Sequence, residues 1–70
     1  MHVVVHIGDN LKRIRERRYL SQRALADKAG VSPDTIVKLE QDRVEPRPST
    51  ILKLADALDV HPDRLTGFSD

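Results

Sequence analysis

Cysteine is absent from this chain of 70 residues. Its absence excludes a disulfide framework, a zinc site held by thiolates and a cysteine nucleophile, and it favours an intracellular setting. Long apolar runs are missing too. The partly apolar run at residues 1–7 is too short for a secretory signal and has too little positive charge before it. No segment approaches the roughly 20 apolar residues of a membrane span. We therefore expect a soluble, cytoplasmic protein.

A large excess of either charge is also missing. The chain has 12 basic and 11 acidic residues, and the resulting net charge of +1 does not by itself indicate a nucleic-acid partner. The distribution is more informative, because seven of the twelve cations fall between residues 12 and 28, while the acids concentrate after residue 33. This pattern predicts a basic front and an acidic back.

Apolar residues recur at intervals of three and four from about residue 8 onward, which predicts an all-α domain. Seventy residues suffice for one domain with a compact core and leave little room for a separate sensor domain. We expect helices at residues 9–18, 22–29, 33–41 and 48–58, a last turn at 62–65, and Phe68 closing the core. Gly8 or Asp9 is expected to cap the first helix. The fourth helix is expected to bury Ile51, Leu52, Leu54, Ala55 and Leu58.

The most informative stretch is residues 29–33, Ala-Gly-Val-Ser-Pro. Gly30 can end the second helix in a left-handed conformation, Ser32 can cap the third, and Pro33 suits its first position. Ser21 can cap the second helix in the same way. Two helices joined by only three or four residues form the unit that places its second helix in the major groove of DNA. This unit would span residues 22–41.

One side of the third helix is predicted to face a groove, and it carries Asp34, Val37, Lys38 and Gln41. Lys38 can donate to guanine or phosphate, Gln41 can pair with adenine, and Val37 can contact a thymine methyl. Asp34 can accept from cytosine or interact with the helix N-terminus. The alternative is the solvated surface of a generic bundle. Base contact is favoured because a valine lies on the polar side beside a turn of this kind.

Phosphate contacts are expected around this unit. Gln22 and Arg23 begin the second helix, where unpaired N–H groups and the helix dipole attract anions, and Ser32 begins the third. Arg43 and Arg47 follow the third helix and are candidates for the adjacent DNA backbone. For each arginine, the alternative is a solvated charge.

Two charges occupy core-facing stripes. Arg15 lies on the apolar stripe of the first helix, and Glu40 shares the inner side of the third with Ile36 and Leu39. Opposite charges on facing stripes can satisfy each other, and losing one partner of a buried pair costs about 3–5 kcal/mol. We expect an Arg15–Glu40 ion pair with a structural role.

The amino terminus breaks the helical pattern, because Val3, Val4 and Val5 are β-branched and favour a strand. A strand over residues 3–7 would put Val3, Val5 and Ile7 on one face. It would either fray or pair with the same strand of a second copy.

The three histidines do not suggest a metal or catalytic site. His2 and His6 would lie about 13 Å apart on such a strand, too far to share one ion. His61 precedes a proline and resembles a turn or cap residue. No nucleophile, base and orienting group can be assembled around them, so we expect no enzyme, metal or cofactor.

The chain resembles the lambda-repressor/Cro (XRE) helix-turn-helix family over residues 7–66. The matching stretches are Ile7-Gly8, Leu11-Lys12-Arg13-Ile14-Arg15, Leu20-Ser21-Gln22, Leu25-Ala26, Ala29-Gly30-Val31-Ser32, Thr35-Ile36, Leu39-Glu40, Ile51-Leu52-Lys53-Leu54-Ala55, Ala57-Leu58 and Val60. The resemblance implies a five-helix fold and a two-fold dimer on a palindromic operator. It also implies phosphate contact by Gln22, groove contacts from Pro33, Asp34, Val37 and Lys38, and an internal pair formed by Arg15 and Glu40.

Three positions depart from that family, which usually has glycine after a helix where this chain has Tyr19, Asp42 and Asp59. Aspartate tolerates the left-handed conformation fairly well, whereas tyrosine costs about 1 kcal/mol there. The valine run also lies outside the family pattern.

The resulting prediction is a sequence-specific DNA-binding repressor or autoregulator, with the recognition helices of a homodimer about 34–36 Å apart. The alternative is an interaction module of the same fold, such as an antitoxin-like partner. The basic front at residues 12–28 favours DNA.

Overall fold

Five helices follow one another in the computed structural model, which describes residues 6–67, and no strand occurs in that range. They are α1 (Gly8–Arg17), α2 (Gln22–Ala29), α3 (Pro33–Glu40), α4 (Pro48–Leu58) and α5 (Asp63–Thr66). The prediction of an all-α, five-helix domain is confirmed. The bounds of α2 and α4 agree with the predicted ones, and the ends of the other helices differ by one residue.

The capping residues of α2 and α3 act as their sequence predicts. Ser21 Oγ accepts from the backbone N of Ala24 at 3.0 Å, and Ser32 Oγ accepts from that of Thr35 at 3.2 Å. Gly30 ends α2 in the left-handed region at φ 72°, and Pro33 occupies the first turn of α3. These caps satisfy N–H groups that the helices cannot satisfy internally, and they fix where each helix starts.

The amino-terminal end of α1 differs from the prediction. Ile7, rather than Gly8 or Asp9, is the N-cap, and its φ of −113° and ψ of 0° are not those of a strand. Its side chain is 1% exposed and belongs to the core. The expected strand therefore does not extend to Ile7, because this side chain gains more from burial among the helices than it could at a sheet edge. The expectations for residues 2–5 and for Phe68 lie outside the described residues.

A single apolar cluster lies between the helices. Its buried members are Ile7, Leu11, Ile14, Leu25, Ala26, Ile36, Leu39, Leu54, Ala55, Ala57, Leu58 and Leu65. The prediction that Leu52 belongs to this core is wrong, since its side chain is 59% exposed. At 100° per residue, the buried arc of α4 is centred between Leu54 and Leu58 and extends toward Ala57, which leaves Leu52 beyond its other edge.

Close packing joins the start of α1 to the end of α3. The backbone N–H of Gly8 donates to Asp42 Oδ1 at 3.0 Å. A Cβ at Gly8 would lie 2.6 Å from the carbonyl oxygen of Glu40, so no larger residue fits without a backbone shift. The contact places α3 directly beside α1, and α3 also packs against α2.

Three helices end in left-handed residues other than glycine. Tyr19, Asp42 and Asp59 have φ of 58°, 54° and 57°, at the positions where the family resemblance indicates glycine. Such a conformation brings Cβ close to the backbone and costs energy in any residue with a side chain. Separately, within residues 6–67 the helices are too short or too polar to cross a bilayer.

Candidate nucleic-acid interface

The turn between α2 and α3 consists of residues 30–32. The backbone N of Val31 donates to the carbonyl oxygen of Ala26 at 3.0 Å, and its half-buried side chain packs against the core. The turn is thus anchored at its centre. Because Ser32 caps α3 immediately afterwards, the direction in which α3 leaves α2 is fixed.

The outer side of α3 is the surface that the sequence predicts for base contacts. Pro33, Asp34 and Gln41 are exposed, and Val37 and Lys38 are half-buried. The opposite side holds Ile36 and Leu39, which are 0% and 2% exposed and face the core. All five candidate base-contacting residues therefore lie on or directly after one helix.

Two of these candidates form an ion pair with each other. Lys38 Nζ lies 2.9 Å from Asp34 Oδ2, one helical turn away. Lys38 still has ammonium donors for a base or a phosphate, and Asp34 reduces the net positive charge of this side of the helix. The i,i+4 spacing could have indicated the pair from the sequence.

The two candidate phosphate-contacting side chains at the start of α2 differ in exposure and in hydrogen bonding. Arg23 is exposed, whereas Gln22 is half-buried and its Nε2 donates to Glu40 Oε1 at 3.1 Å. Ser21 Oγ already binds the N–H of Ala24. Within residues 6–67 no acceptor contacts the backbone N–H groups of Gln22 and Arg23. These two groups point along the axis of α2 and remain available to an anion.

Ser32 and Arg47 line one shallow groove between the α2–α3 turn and the loop before α4. The Ser32 hydroxyl is engaged with Thr35, both at its backbone N and at Oγ1, 2.8 Å away. Its first role is therefore to cap α3. Arg47 is exposed and directly precedes α4.

Arg43 lies in the loop just after α3 and donates from Nη1 to Gln41 Oε1 at 3.2 Å. Its backbone N donates to the carbonyl oxygen of Lys38 at 2.9 Å, which holds the loop against the helix. The structure thus brings Arg43 and Gln41 together, at the end of α3 that lies away from its Ser32 cap.

Arg15 and Glu40, which the sequence predicts to pair, are bound to each other beneath this surface. Arg15 Nε donates to Glu40 Oε2 at 2.6 Å and Nη2 donates to Oε1 at 3.0 Å, while Nη1 donates to the carbonyl oxygen of Leu20 at 2.8 Å. Their side chains are only 10% and 4% exposed. The hydrogen bond to Glu40 raises the pKa of the Arg15 guanidinium above its usual value, so the guanidinium stays charged.

Two cations of the predicted basic front lie away from α3. Arg13 and Arg17 each lie two positions from Arg15, about 200° around α1. Since Arg15 faces α3 through Glu40, both cations project from the far side of α1, and both are exposed. These two cations of the predicted basic front therefore add little positive charge beside α3.

The described part of the chain contains no group of three or more His, Asp or Glu residues arranged to hold a metal ion. The candidate interface consists instead of one side of a helix, a helix N-terminus and flanking arginines. Helix-turn-helix motifs contact duplex DNA with this arrangement.

Comparison with known proteins agrees with this geometry. The helix-turn-helix family pattern (HTH_3) matches residues 11–65. The chain belongs to the helix-turn-helix family of lambda-repressor/Cro (XRE) type. Members of this family are DNA-binding domains rather than enzymes.

Two curated helix-turn-helix relatives are repressors. The chain is 36% identical over 61 residues to the immunity repressor protein of Bacillus phage phi105, which covers 87% of this chain and 42% of that protein. It is 43% identical over 54 residues to the transcriptional repressor RghR of Bacillus subtilis (strain 168), which covers 76% of this chain and 40% of that protein. This helix-turn-helix chain thus spans about two fifths of their length.

Solved helix-turn-helix structures have the same fold. The restriction-modification controller protein C.AhdI from Aeromonas hydrophila superposes with a TM-score of 0.83 at 34% identity, covering 87% of this chain and 92% of that one. The P22 c2 repressor, solved in complex with a synthetic operator, superposes with a TM-score of 0.82 at 30% identity, covering 90% and 96%.

Proposed function

We propose that this helix-turn-helix chain binds a specific duplex DNA sequence and acts as a transcriptional repressor or autoregulator. The observation that carries the proposal is the outer side of α3, which leaves Val37 and Lys38 accessible while Ile36 and Leu39 anchor the helix in the core. The similarity to the P22 c2 repressor, solved with an operator, supports it.

The residues divide into two roles. Base contacts are assigned to Pro33, Asp34, Val37, Lys38 and Gln41, on the exposed side of α3 and at its end. Phosphate contacts are assigned to Gln22, Arg23, Ser32, Arg43 and Arg47, which flank that helix. Contacts of the first kind discriminate between sequences, and contacts of the second kind fix position and register.

The active form in this proposal is a homodimer on a palindromic operator. With eight residues, α3 is about 12 Å long at 1.5 Å per residue and contacts only one half-site. Two copies related by a two-fold axis would place their α3 helices about 34–36 Å apart on one face of the duplex. Ile7 is buried in the core and is not available for strand pairing between the copies. Such a regulator acts where the duplex is, so the cytoplasm is the expected compartment.

Selection of bound sites from random duplex DNA, repeated over a range of salt concentrations, tests the proposal. We expect a palindrome with half-sites one helical turn apart, and an affinity that falls steeply as salt rises. If no sequence is enriched and no duplex is bound even at low salt, the proposal is contradicted and the protein-interaction alternative is favoured. A single unrepeated half-site would contradict the homodimer alone.

A further inference from the structure

The carboxylate of Glu40 connects the core ion pair to the DNA-facing end of α2. Its Oε2 accepts from Arg15 Nε, and its Oε1 accepts both from Arg15 Nη2 at 3.0 Å and from Gln22 Nε2 at 3.1 Å. One buried side chain of α3 thus binds α1 and α2 simultaneously. Every buried polar side-chain atom in residues 6–67 has a partner.

This contact determines which way the Gln22 amide points. A carboxylate only accepts hydrogen bonds, so the nitrogen of the amide, and not its oxygen, must face Glu40. One N–H of the amide is then occupied and the other stays free. The free N–H belongs to a half-buried residue at the first position of α2, next to the unpaired backbone N–H groups of Gln22 and Arg23.

We infer that Glu40 is a positioning residue for DNA binding, because it holds the Gln22 amide with its second N–H ready for a DNA phosphate. The inference rests on the proposed function, since it specifies how one of the phosphate contacts is prepared. A glutamine in solution samples many rotamers, and ordering it at an interface weakens binding. Glu40 orders it before the duplex arrives.

Arg15 makes this arrangement compatible with a nearby phosphate. An isolated carboxylate beside the start of α2 would repel the DNA backbone, but the guanidinium of Arg15 binds both carboxylate oxygens of Glu40. Arg15 also holds the carbonyl oxygen of Leu20, two residues before Gln22. The same cation therefore neutralises the positioning group and fixes the loop that leads into α2.

A purely structural role for Glu40 is the competing explanation, and the free protein can separate the two. The chain has two glutamines, Gln22 and Gln41, and only the amide nitrogen of Gln22 has a hydrogen-bond acceptor in the structure. We expect ¹⁵N relaxation of the side-chain amides to show a rigid Gln22 and a mobile Gln41 in wild-type protein without DNA. Equal mobility of the two amides would overturn the inference.

A double-mutant cycle measures the consequence for binding. Because ordering one long side chain costs affinity, Glu40→Gln should weaken binding about three- to tenfold beyond any loss of folded protein. This loss should be equal for operator and random duplex, because a phosphate contact carries no sequence information. In the Gln22→Met background, Glu40→Gln should cause no further loss of DNA affinity. In the matched Gln41→Met background, it should cause the same loss as in the wild-type chain.

Equal losses from Glu40→Gln in all three backgrounds would show a structural role only and overturn the inference. If Glu40→Gln does not fold, the wild-type relaxation measurement decides instead. Absence of DNA binding by the wild-type chain would refute the proposed function, and the relaxation data would still show whether Glu40 fixes the Gln22 amide. The two failures are therefore distinguishable.

Discussion

The backbone N–H of Gly8 donates to the carboxylate of Asp42 at 3.0 Å, so that the first residue of α1 is capped by a residue 34 positions later, just beyond α3. The capping residue is itself left-handed, with φ of 54°. The backbone strain at Asp42 is thus offset by the hydrogen bond that its side chain accepts from the N-terminus of α1. A helix N-terminus favours negative charge.

Gly8→Ala should destabilise the fold. The new Cβ would lie 2.6 Å from the Glu40 carbonyl oxygen and 2.8 Å from that of Leu39, so the backbone must move. Overpacking of this kind costs about 1–3 kcal/mol, which urea unfolding can measure. Gly30→Ala is the matched control, because a Cβ there meets nothing within 4 Å and only the φ of 72° opposes it, at about 1 kcal/mol. A smaller loss for Gly8→Ala than for Gly30→Ala would contradict the packing argument.

Tyr19→Asn should stabilise the chain by up to about 1 kcal/mol. Tyr19 has φ of 58° and is 96% exposed, so the substitution relieves backbone strain and removes almost no packing. For a domain of this size, 1 kcal/mol raises Tm by about 4–8 °C, which calorimetry resolves easily. Asp59→Asn serves as the control and should change Tm little, because both residues tolerate the left-handed region. A lower Tm for Tyr19→Asn would show that the tyrosine has a stabilising contact.

Arg15→Met should destabilise the domain by about 3–5 kcal/mol, because it leaves the Glu40 carboxylate buried without its cation. Chemical unfolding followed by circular dichroism measures the loss. The exposed i,i+4 pair of Asp34 and Lys38 provides the comparison, since Asp34→Asn should cost no more than about 0.5 kcal/mol. Similar losses for the two substitutions would mean that burial of the Arg15–Glu40 pair has no energetic importance.

Val37→Ala and Lys38→Ala should change the preferred DNA sequence, and Arg23→Ala should not. Loss of a base contact costs about 1–3 kcal/mol at one operator position, whereas loss of a phosphate contact weakens all duplexes alike and lowers the salt slope by about 1. Fluorescence anisotropy with single-position operator variants separates the two patterns. A uniform weakening by Val37→Ala and Lys38→Ala would remove α3 from the base-reading role.

Local signals in the sequence were sufficient for most of the fold. The Gly30, Ser32 and Pro33 sequence predicts the turn and the start of α3 because each residue has a stereochemical preference that acts within a few positions. Arg15 and Glu40 could be paired because each charge interrupts an apolar stripe. The prediction that Leu52 is buried is wrong, since periodicity cannot decide which edge of a broad apolar arc meets the neighbouring helices.

Contacts that depend on how helices cross could not be predicted in this way. The Gln22–Glu40 and Gly8–Asp42 hydrogen bonds join residues 18 and 34 positions apart, and nothing in the local sequence distinguishes them. The conformation of Ile7 could not be predicted from the local sequence either. A run of β-branched residues favours a strand, but burial against α1 and its neighbours determines the conformation at the end of that run.

The three-residue connection between α2 and α3, anchored at Val31 and capped at Ser32, restricts how far the two helices can pivot against each other. In the proposed complex, the bases that α3 contacts and the phosphates that α2 contacts must then match one fixed geometry, so the duplex has to bend or twist to fit. Base pairs that the protein does not contact would then affect affinity through their flexibility alone.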